Sequence, residues 1–237
     1  MTKSISFIVT AYNEEKYIEK TILNILNFVN NFKIDYEILI INDGSTDNTG
    51  KIIRKLAKKY KKIKIIEHKK NLGIGKTIAD GIKNASKEYF TYIPGDNQFS
   101  FSSFEEYLKK IKNYDLIIGY IKNPKARKLH RRLGSSLFMS VIRLLFNLKK
   151  VKYTNGFNLI KTSLVKNMEL ESTGHSISSE IIIKILKFRK LKYKINGFEL
   201  IPKHPEVTTA FKLKSIINAI YFTIRLWIKI YILKEKY

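Results

Sequence analysis

Cysteine is absent from the 237-residue chain, so no disulfide and no thiolate zinc site can contribute to its fold. Histidine is scarce: His68, His130, His175 and His204 lie too far apart in sequence for a helical H-x-x-x-H ligand pair. Long apolar runs are missing as well. A bilayer-spanning helix needs roughly 20 mainly apolar residues, whereas the longest uncharged run, Thr21 to Phe32, carries four asparagines. The first ten residues run straight into a strand pattern without the layout of a secretory signal, which predicts a cytoplasmic protein. No long-period repeat or low-complexity linker is visible.

Acidic residues are sparse in the second half. Residues 1–118 carry 20 basic and 14 acidic side chains, net +6, and residues 119–237 carry 25 and 6, net +19, which together make the formal +25. Between Leu116 and Met168 there is no acid against twelve Lys and Arg, so this stretch presents a positive surface to an anionic partner. Lysine outnumbers arginine 38 to 7 and isoleucine also occurs 38 times, so part of the charge reflects compositional bias. No nucleic-acid-binding module is recognisable, which argues against a basic nucleic-acid binder and leaves it a lower alternative. Hydrophobic residues make up 44% of the chain and aromatics 12%, enough for a packed core.

What is present is alternation. Ile5–Thr10, Tyr36–Ile41, Ile63–Glu67, Tyr89–Ile93 and Asp115–Gly119 read as short apolar strands. Between them Glu14–Phe32, Asp47–Tyr60, Ile74–Ala85 and Phe101–Ile111 read as helices. Strands apolar on both faces and separated by helices predict an α/β domain with a mainly parallel, Rossmann-like sheet covered on both sides. Ser45, Thr46 and Asp47 are candidate caps of the second helix, and Ser102 or Ser103 of the fourth. Two later stretches are amphipathic at helical spacing, Arg132–Leu148 and Lys214–Leu233. In the latter, Lys214, Asn218, Arg225 and Lys229 form a narrow polar stripe opposite Ile217, Ile220, Ile224, Trp227, Ile228 and Tyr231. That pattern suits a helix lying in a membrane interface, or one packed on the sheet or on a second subunit, so it leaves the oligomeric state open. The expected organisation is a domain over 1–210 followed by an amphipathic segment over 211–237.

In open α/β sheets ligands sit beyond the carboxyl ends of the strands, which directs attention to four segments. They are Thr10-Ala11-Tyr12-Asn13-Glu14, Asn42-Asp43-Gly44-Ser45, Asn71-Leu72-Gly73 and Pro94-Gly95-Asp96-Asn97-Gln98. In this order and spacing they resemble the family 2 glycosyltransferases, the group that includes dolichyl-phosphate mannose synthase and bacterial polyprenyl-phosphate sugar transferases. The likeness continues through Arg132, Asn155-Gly156-Phe157, Glu180 and Glu199-Leu200-Ile201-Pro202.

The resemblance implies a GT-A fold with C-terminal amphipathic helices. It also implies inverting transfer of a sugar from a UDP- or GDP-linked donor to a polyprenyl phosphate, with extension of a surface or lipid-linked glycan as the alternative. The donor residues it implies are Thr10, Ala11, Tyr12, Glu14, Asn42, Asp43, Gly73, Asp96, Asn97 and Gln98. Asp43 would accept from a base N–H and Glu14 from ribose hydroxyls, while Asp96 would hold Mg2+ or Mn2+, whose positive charge assists diphosphate departure. Glu180 is the candidate general base for a hydroxyl acceptor. For a phosphate acceptor no base is required, and Arg127, Arg131 and Arg132 are the candidates to hold it. The reading is a peripheral enzyme on the cytoplasmic face of an anionic membrane.

The chain also departs from the family pattern. Pro94 stands where the metal motif has a first aspartate, Asn42 and Tyr153 replace aspartates, and Lys203-His204-Pro205-Glu206 with Thr208-Thr209 replaces an arginine- and glycine-containing segment. Gly73-Ile74-Gly75-Lys76-Thr77 imitates the end of a P-loop, but Lys70 occupies the position of its first glycine.

Overall fold

Strand β1 (Ser4–Ala11) buries every side chain from Ile5 onward because it runs between two parallel neighbours, β2 (Asp35–Asn42) and β4 (Tyr89–Pro94). A computed structural model describes residues 4–201 and 213–237, with side chains in the last helix from Ile217. Strand β3 (Ile63–Glu67) flanks β2, and on the far side of β4 come β6 (Leu159–Lys161), β5 (Leu116–Ile121) and β7 (Tyr193–Phe198). The order is β3-β2-β1-β4-β6-β5-β7, and only the two pairings of β6 are antiparallel.

Helices cover both faces. On one side α1 (Ile18–Asn31), α2 (Thr49–Lys59) and α4 (Ser102–Lys110) pack on Ile5, Phe7, Val9, Ile38 and Ile40. On the other, α3 (Ile74–Asn84), α5 (Leu129–Phe146), α6 (Ile177–Phe188) and α7 (Leu213–Tyr231) pack on Ile8, Leu39, Ile41, Phe90 and Ile118. Alternate residues of one strand thus feed two separate cores, which is why the strands read as continuous apolar runs.

The α/β expectation holds, with local corrections. Helix α1 starts at Ile18, not Glu14, because the Glu14 carbonyl accepts both the Tyr17 and Ile18 amides at 2.9 Å and holds residues 14–17 in a turn. The N-cap of α2 is Asn48, and Asp47, one residue earlier, accepts the Thr49 amide on Oδ1 at 3.0 Å. Ser102 and Ser103 lie inside α4, and Ser103 Oγ accepts the distant Glu199 amide instead. Strands β6 and β7 were not anticipated.

Helix α7 buries Thr223 and Leu226 in the second core and exposes Ile217, Ile220, Tyr221, Ile224 and Ile228. Among the described residues no helix is long and apolar enough to cross a membrane. The division at residue 210, Pro202 and the segment from Lys203 to Thr209 lie outside the described residues.

Candidate functional site

The strand ends finish level: Ala11 is in register with Asn42, Asn42 with Glu67, and Thr10 with Pro94. The loops that follow therefore meet along one edge. Thr10 and Ala11 are buried, and their carbonyls accept the Gly95 and Asp43 amides at 2.8 Å each. Their contribution is to fix the next loops. The first two loops are laced together: Asn13, left-handed at φ 55°, accepts the Thr46 amide at 2.9 Å on Oδ1, and its own amide donates to Ser45 Oγ at 3.0 Å. The Glu14 amide donates to Thr49 Oγ1 at 2.8 Å, while Glu15 Oε2 accepts the Asn48 amide at 2.9 Å. These bonds leave Tyr12 projecting, 44% exposed, at the lip of the edge.

Asp43 is buried and tightly held. Its Oδ1 accepts the Leu72 amide at 2.8 Å and Oδ2 the Gly73 amide at 2.9 Å, with His68 Nδ1 2.7 Å from Oδ1. The opposite ring nitrogen of His68 lies 3.1 Å from Asp80 Oδ2. Asp43 thus joins the loops after β2 and β3, and Gly73, at φ +90°, takes a conformation that side-chain-bearing residues rarely adopt. Asn42 accepts the Ser45 amide at 3.2 Å and donates to Glu67 Oε1, which also pairs with Arg54 at 2.7 Å. A cleft of about 460 Å³ opens beside these groups, lined by Asn42, Ser45, Asn48, Arg54, Glu67 and His68. A wider hollow of about 1230 Å³ lies at the opposite edge, among Glu88, Lys112, Asp115, Lys190 and Lys192, remote from every expected site residue.

The third cluster is built on the loop after β4. Asp96 Oδ1 accepts the Gln98 amide at 3.2 Å, and Asn97, left-handed at φ 55°, accepts from Asn24 Nδ2 at 2.8 Å, so its side-chain oxygen is engaged by α1. Gln98 is half-buried, and its carbonyl accepts the Ile201 amide at 2.8 Å. The first turn of α5 brings Arg131 into the field of Asp96. Burial, followed by the neighbouring Arg127, holds Arg131 below the usual guanidinium value, against the opposing pull of Tyr153 and Asp96. Arg127 donates to Tyr153 Oη at 3.2 Å and to Ser135 Oγ at 3.0 Å. Both of these partners are hydroxyls, so among the described residues the Arg127 guanidinium is anchored without a carboxylate. Arg132 lies half-buried on the same first turn.

Glu180 needs a correction. Its side chain has no exposed surface: Oε1 and Oε2 accept the Glu171 amide at 2.9 and 3.2 Å, Oε2 accepts the Ser172 amide at 2.9 Å, and Oε1 pairs with the equally buried Lys184 at 2.7 Å. A carboxylate so enclosed presents no oxygen to a reacting hydroxyl. Its place is structural, clamping the loop before α6.

Three residues at the site went unread in the sequence. His68 is the first residue beyond β3, so the strand-end rule itself selects it. Tyr153, a departure from the family pattern, holds Arg127 through its hydroxyl. His175 sits, exposed, in the loop before α6, within the electrostatic reach of Arg131. No spacing signal marks His175, since α5 and the loop before α6 meet only in the folded chain.

Comparison with known proteins agrees with this architecture. The profile described as Glycosyl transferase family 2 matches residues 6–169. An uncharacterized protein of Methanocaldococcus jannaschii is 29% identical over 224 residues, covering 89% of this chain and 93% of its own. A dolichol-phosphate mannosyltransferase of Pyrococcus furiosus is 30% identical over 187 residues, covering 76% of this chain and 52% of that protein, so the match spans about half of the named transferase. Glucosyl-3-phosphoglycerate synthase of Mycobacterium tuberculosis, solved with Mn2+, UDP and phosphoglyceric acid, shares the fold. Its TM-score is 0.67 at 16% identity, over 95% of this chain and 78% of that one. The expected GT-A architecture is therefore observed.

Proposed function

Because this chain belongs to glycosyl transferase family 2, we propose that it transfers a sugar from a UDP- or GDP-linked donor to a polyprenyl phosphate at a membrane surface. The observation that carries this reading is that Arg131 lies within the electrostatic reach of Asp96, flanked by Arg127 on the Tyr153 and Ser135 hydroxyls. Donor and acceptor are both anionic, and this pair of guanidiniums stands beside the donor loop where a second anion has to arrive. The Pyrococcus relative, named for a dolichol-phosphate acceptor, supports the same substrate class.

In this reading the nucleotide lies along Tyr12, Glu14, Asn42, Asp43 and Gly73, with its diphosphate toward Asp96, Asn97 and Gln98. A phosphate oxygen of the acceptor, already anionic near neutral pH, attacks the anomeric carbon from the face opposite the diphosphate. The sugar–diphosphate C–O bond breaks, its electron pair leaves with the nucleotide, and configuration inverts. No proton has to be removed, which agrees with the enclosure of Glu180.

The residues fit a divalent ion of the magnesium or manganese kind. Among the described residues no three His, Asp or Glu gather as a closed site, but such ions are commonly held by one or two carboxylates together with substrate phosphates. Asp96 would hold it, and the ion would supply positive charge to the departing diphosphate.

The membrane half rests on α5 and α7, which pack side by side. Helix α5 exposes Leu129, Leu133, Leu137 and Leu144 at 62–83%, next to the apolar face of α7 and within the acid-free basic stretch. Apolar side chains rimmed by Lys and Arg suit an anionic bilayer surface. A second reading, a glycan hydroxyl acceptor, is favoured by His175, an exposed imidazole in the loop before α6 that offers a proton acceptor within the electrostatic reach of Arg131.

The test is thermal unfolding with UDP, GDP, CMP and ATP, each with and without Mn2+. A ligand at 100 times its dissociation constant adds about 2.7 kcal/mol of stability. A Mn2+-dependent shift with UDP or GDP alone supports the proposal, and a shift confined to ATP, or none, refutes it.

A further inference from the structure

Lys184 and Glu180 form an ion pair with no exposed surface on either side chain, an arrangement whose desolvation is recovered only with good geometry and further hydrogen bonds. Those bonds all go to one irregular loop, residues 169–175. Glu180 takes the Glu171 and Ser172 amides, and Lys184 donates to the Glu169 carbonyl at 2.7 Å. From the other side the same loop is gripped by the C-terminus. Glu171 Oε2 accepts from Lys229 at 2.9 Å and from Arg225 at 3.2 Å, and the Tyr237 ring lies 3.6 Å from Lys184 Nζ. Burial alone would raise the Glu171 carboxyl, yet Lys229, Lys184 and Arg225 hold it below its ordinary value. The polar stripe of α7 is therefore turned in part toward Glu171, while its apolar face is open.

The far side of this loop touches the donor edge, main chain against main chain. The Gly75 amide donates to the Thr173 carbonyl at 2.9 Å. A Cβ on Gly75 would run into the Ser172 carbonyl, and one on Gly73 into that of Thr173. With no side chains between them, a shift of residues 172–173 is passed directly to Gly73 and Gly75, and through the Gly73 amide to Asp43.

We propose that Glu171 is a positioning residue through which α7 and the C-terminal tail hold loop 169–175 against the Gly73–Gly75 turn and so set the geometry of the Asp43 side of the site. The structural half of this inference stands on the contacts alone. Its consequence for nucleotide affinity rests on the donor reading above.

Hydrogen–deuterium exchange on the full chain separates the two. In Glu171→Gln, and independently in Arg225→Met/Lys229→Met, the Gly73 and Gly75 amides should exchange about tenfold faster while β1 amides stay within about twofold, as expected for local rather than global opening. Glu171→Asp should restore most of the protection. UDP or GDP, whichever binds the parent protein, should bind both variants about tenfold more weakly. Faster exchange confined to residues 171–173, or a change in Glu171→Gln that the α7 double variant does not reproduce, overturns the proposal. If the parent binds neither nucleotide, the donor reading fails, and the exchange data still decide whether α7 positions the turn.

Discussion

His68 Nδ1 and Asp43 Oδ1 lie 2.7 Å apart at the point where Asp43 also receives the Leu72 and Gly73 amides. One buried carboxylate thus satisfies three donors from a neighbouring loop. In Asp43→Asn one oxygen becomes an NH2 group facing a donor, which leaves a buried amide unsatisfied at a cost of about 1–3 kcal/mol. The urea midpoint should fall with an unchanged slope, and the nucleotide-induced thermal shift should disappear.

Asp96→Ala should abolish sugar transfer to polyprenyl phosphate while the protein stays folded. Asp96 is partly exposed in a loop, and substitutions at such positions usually stay within about 0.5 kcal/mol, a melting shift of about 2 °C or less at this chain length. Full transfer activity in this variant would refute the assignment of the site.

Glu37 bears on acid stability. It is buried on β2, where Oε1 accepts from Ser6 Oγ at 2.7 Å and from the Ser86 amide at 2.6 Å, and Lys64 reaches Oε2 at 3.0 Å. Burial raises its pKa, but the bonds from Ser6, Ser86 and Lys64 outweigh that and leave it lowered from 4.5. Its contribution is therefore complete above 4.5 and is lost as pH falls through the lower folded value. Glu37→Gln should cost about 1–3 kcal/mol at pH 7 and flatten the decline of melting temperature below pH 4.5.

Gly75 and Gly174 form a matched pair. Gly75→Ala forces a methyl group into the Ser172 carbonyl and should destabilise by about 1–3 kcal/mol. Gly174 has nothing within 4 Å of a Cβ, and Gly174→Ala should stay within about 0.5 kcal/mol. Equal midpoints in chemical denaturation would disprove the close approach of the two loops.

Leu137→Glu tests the membrane face. Leu137 is 70% exposed on α5, so its replacement should leave the melting temperature unchanged. Burying one such side chain is worth about 1.5–3 kcal/mol, so sedimentation with anionic vesicles should weaken by tenfold or more. Unaltered vesicle binding would remove α5 from that surface.

The first half of the fold was legible because each strand is a short apolar run and each helix keeps its own period. Strand β3 is observed at the expected residues, β1 and β2 run one residue further at each end, and β4 one residue further at its C-terminal end. β6 was not legible: three residues long, it is a strand only through its antiparallel neighbours β4 and β5. Glu180 shows the same limit from another direction. As an isolated acid near a helix start it resembles a base, and only the packing of loop 169–172 around it reveals a buried clamp.

What the sequence determined by itself was the order of strands and helices as far as β5, the four strand-end segments and the excess of positive charge after Leu116, because periodicity, spacing and composition are local properties. What the tertiary structure decided was which charges meet. Arg131 lies within the electrostatic reach of Asp96, His68 stands by Asp43, and Lys229 by Glu171, pairs separated by 35, 25 and 58 residues. Contacts at such separations arise from how helices cross the sheet, a relation no local pattern along the chain encodes.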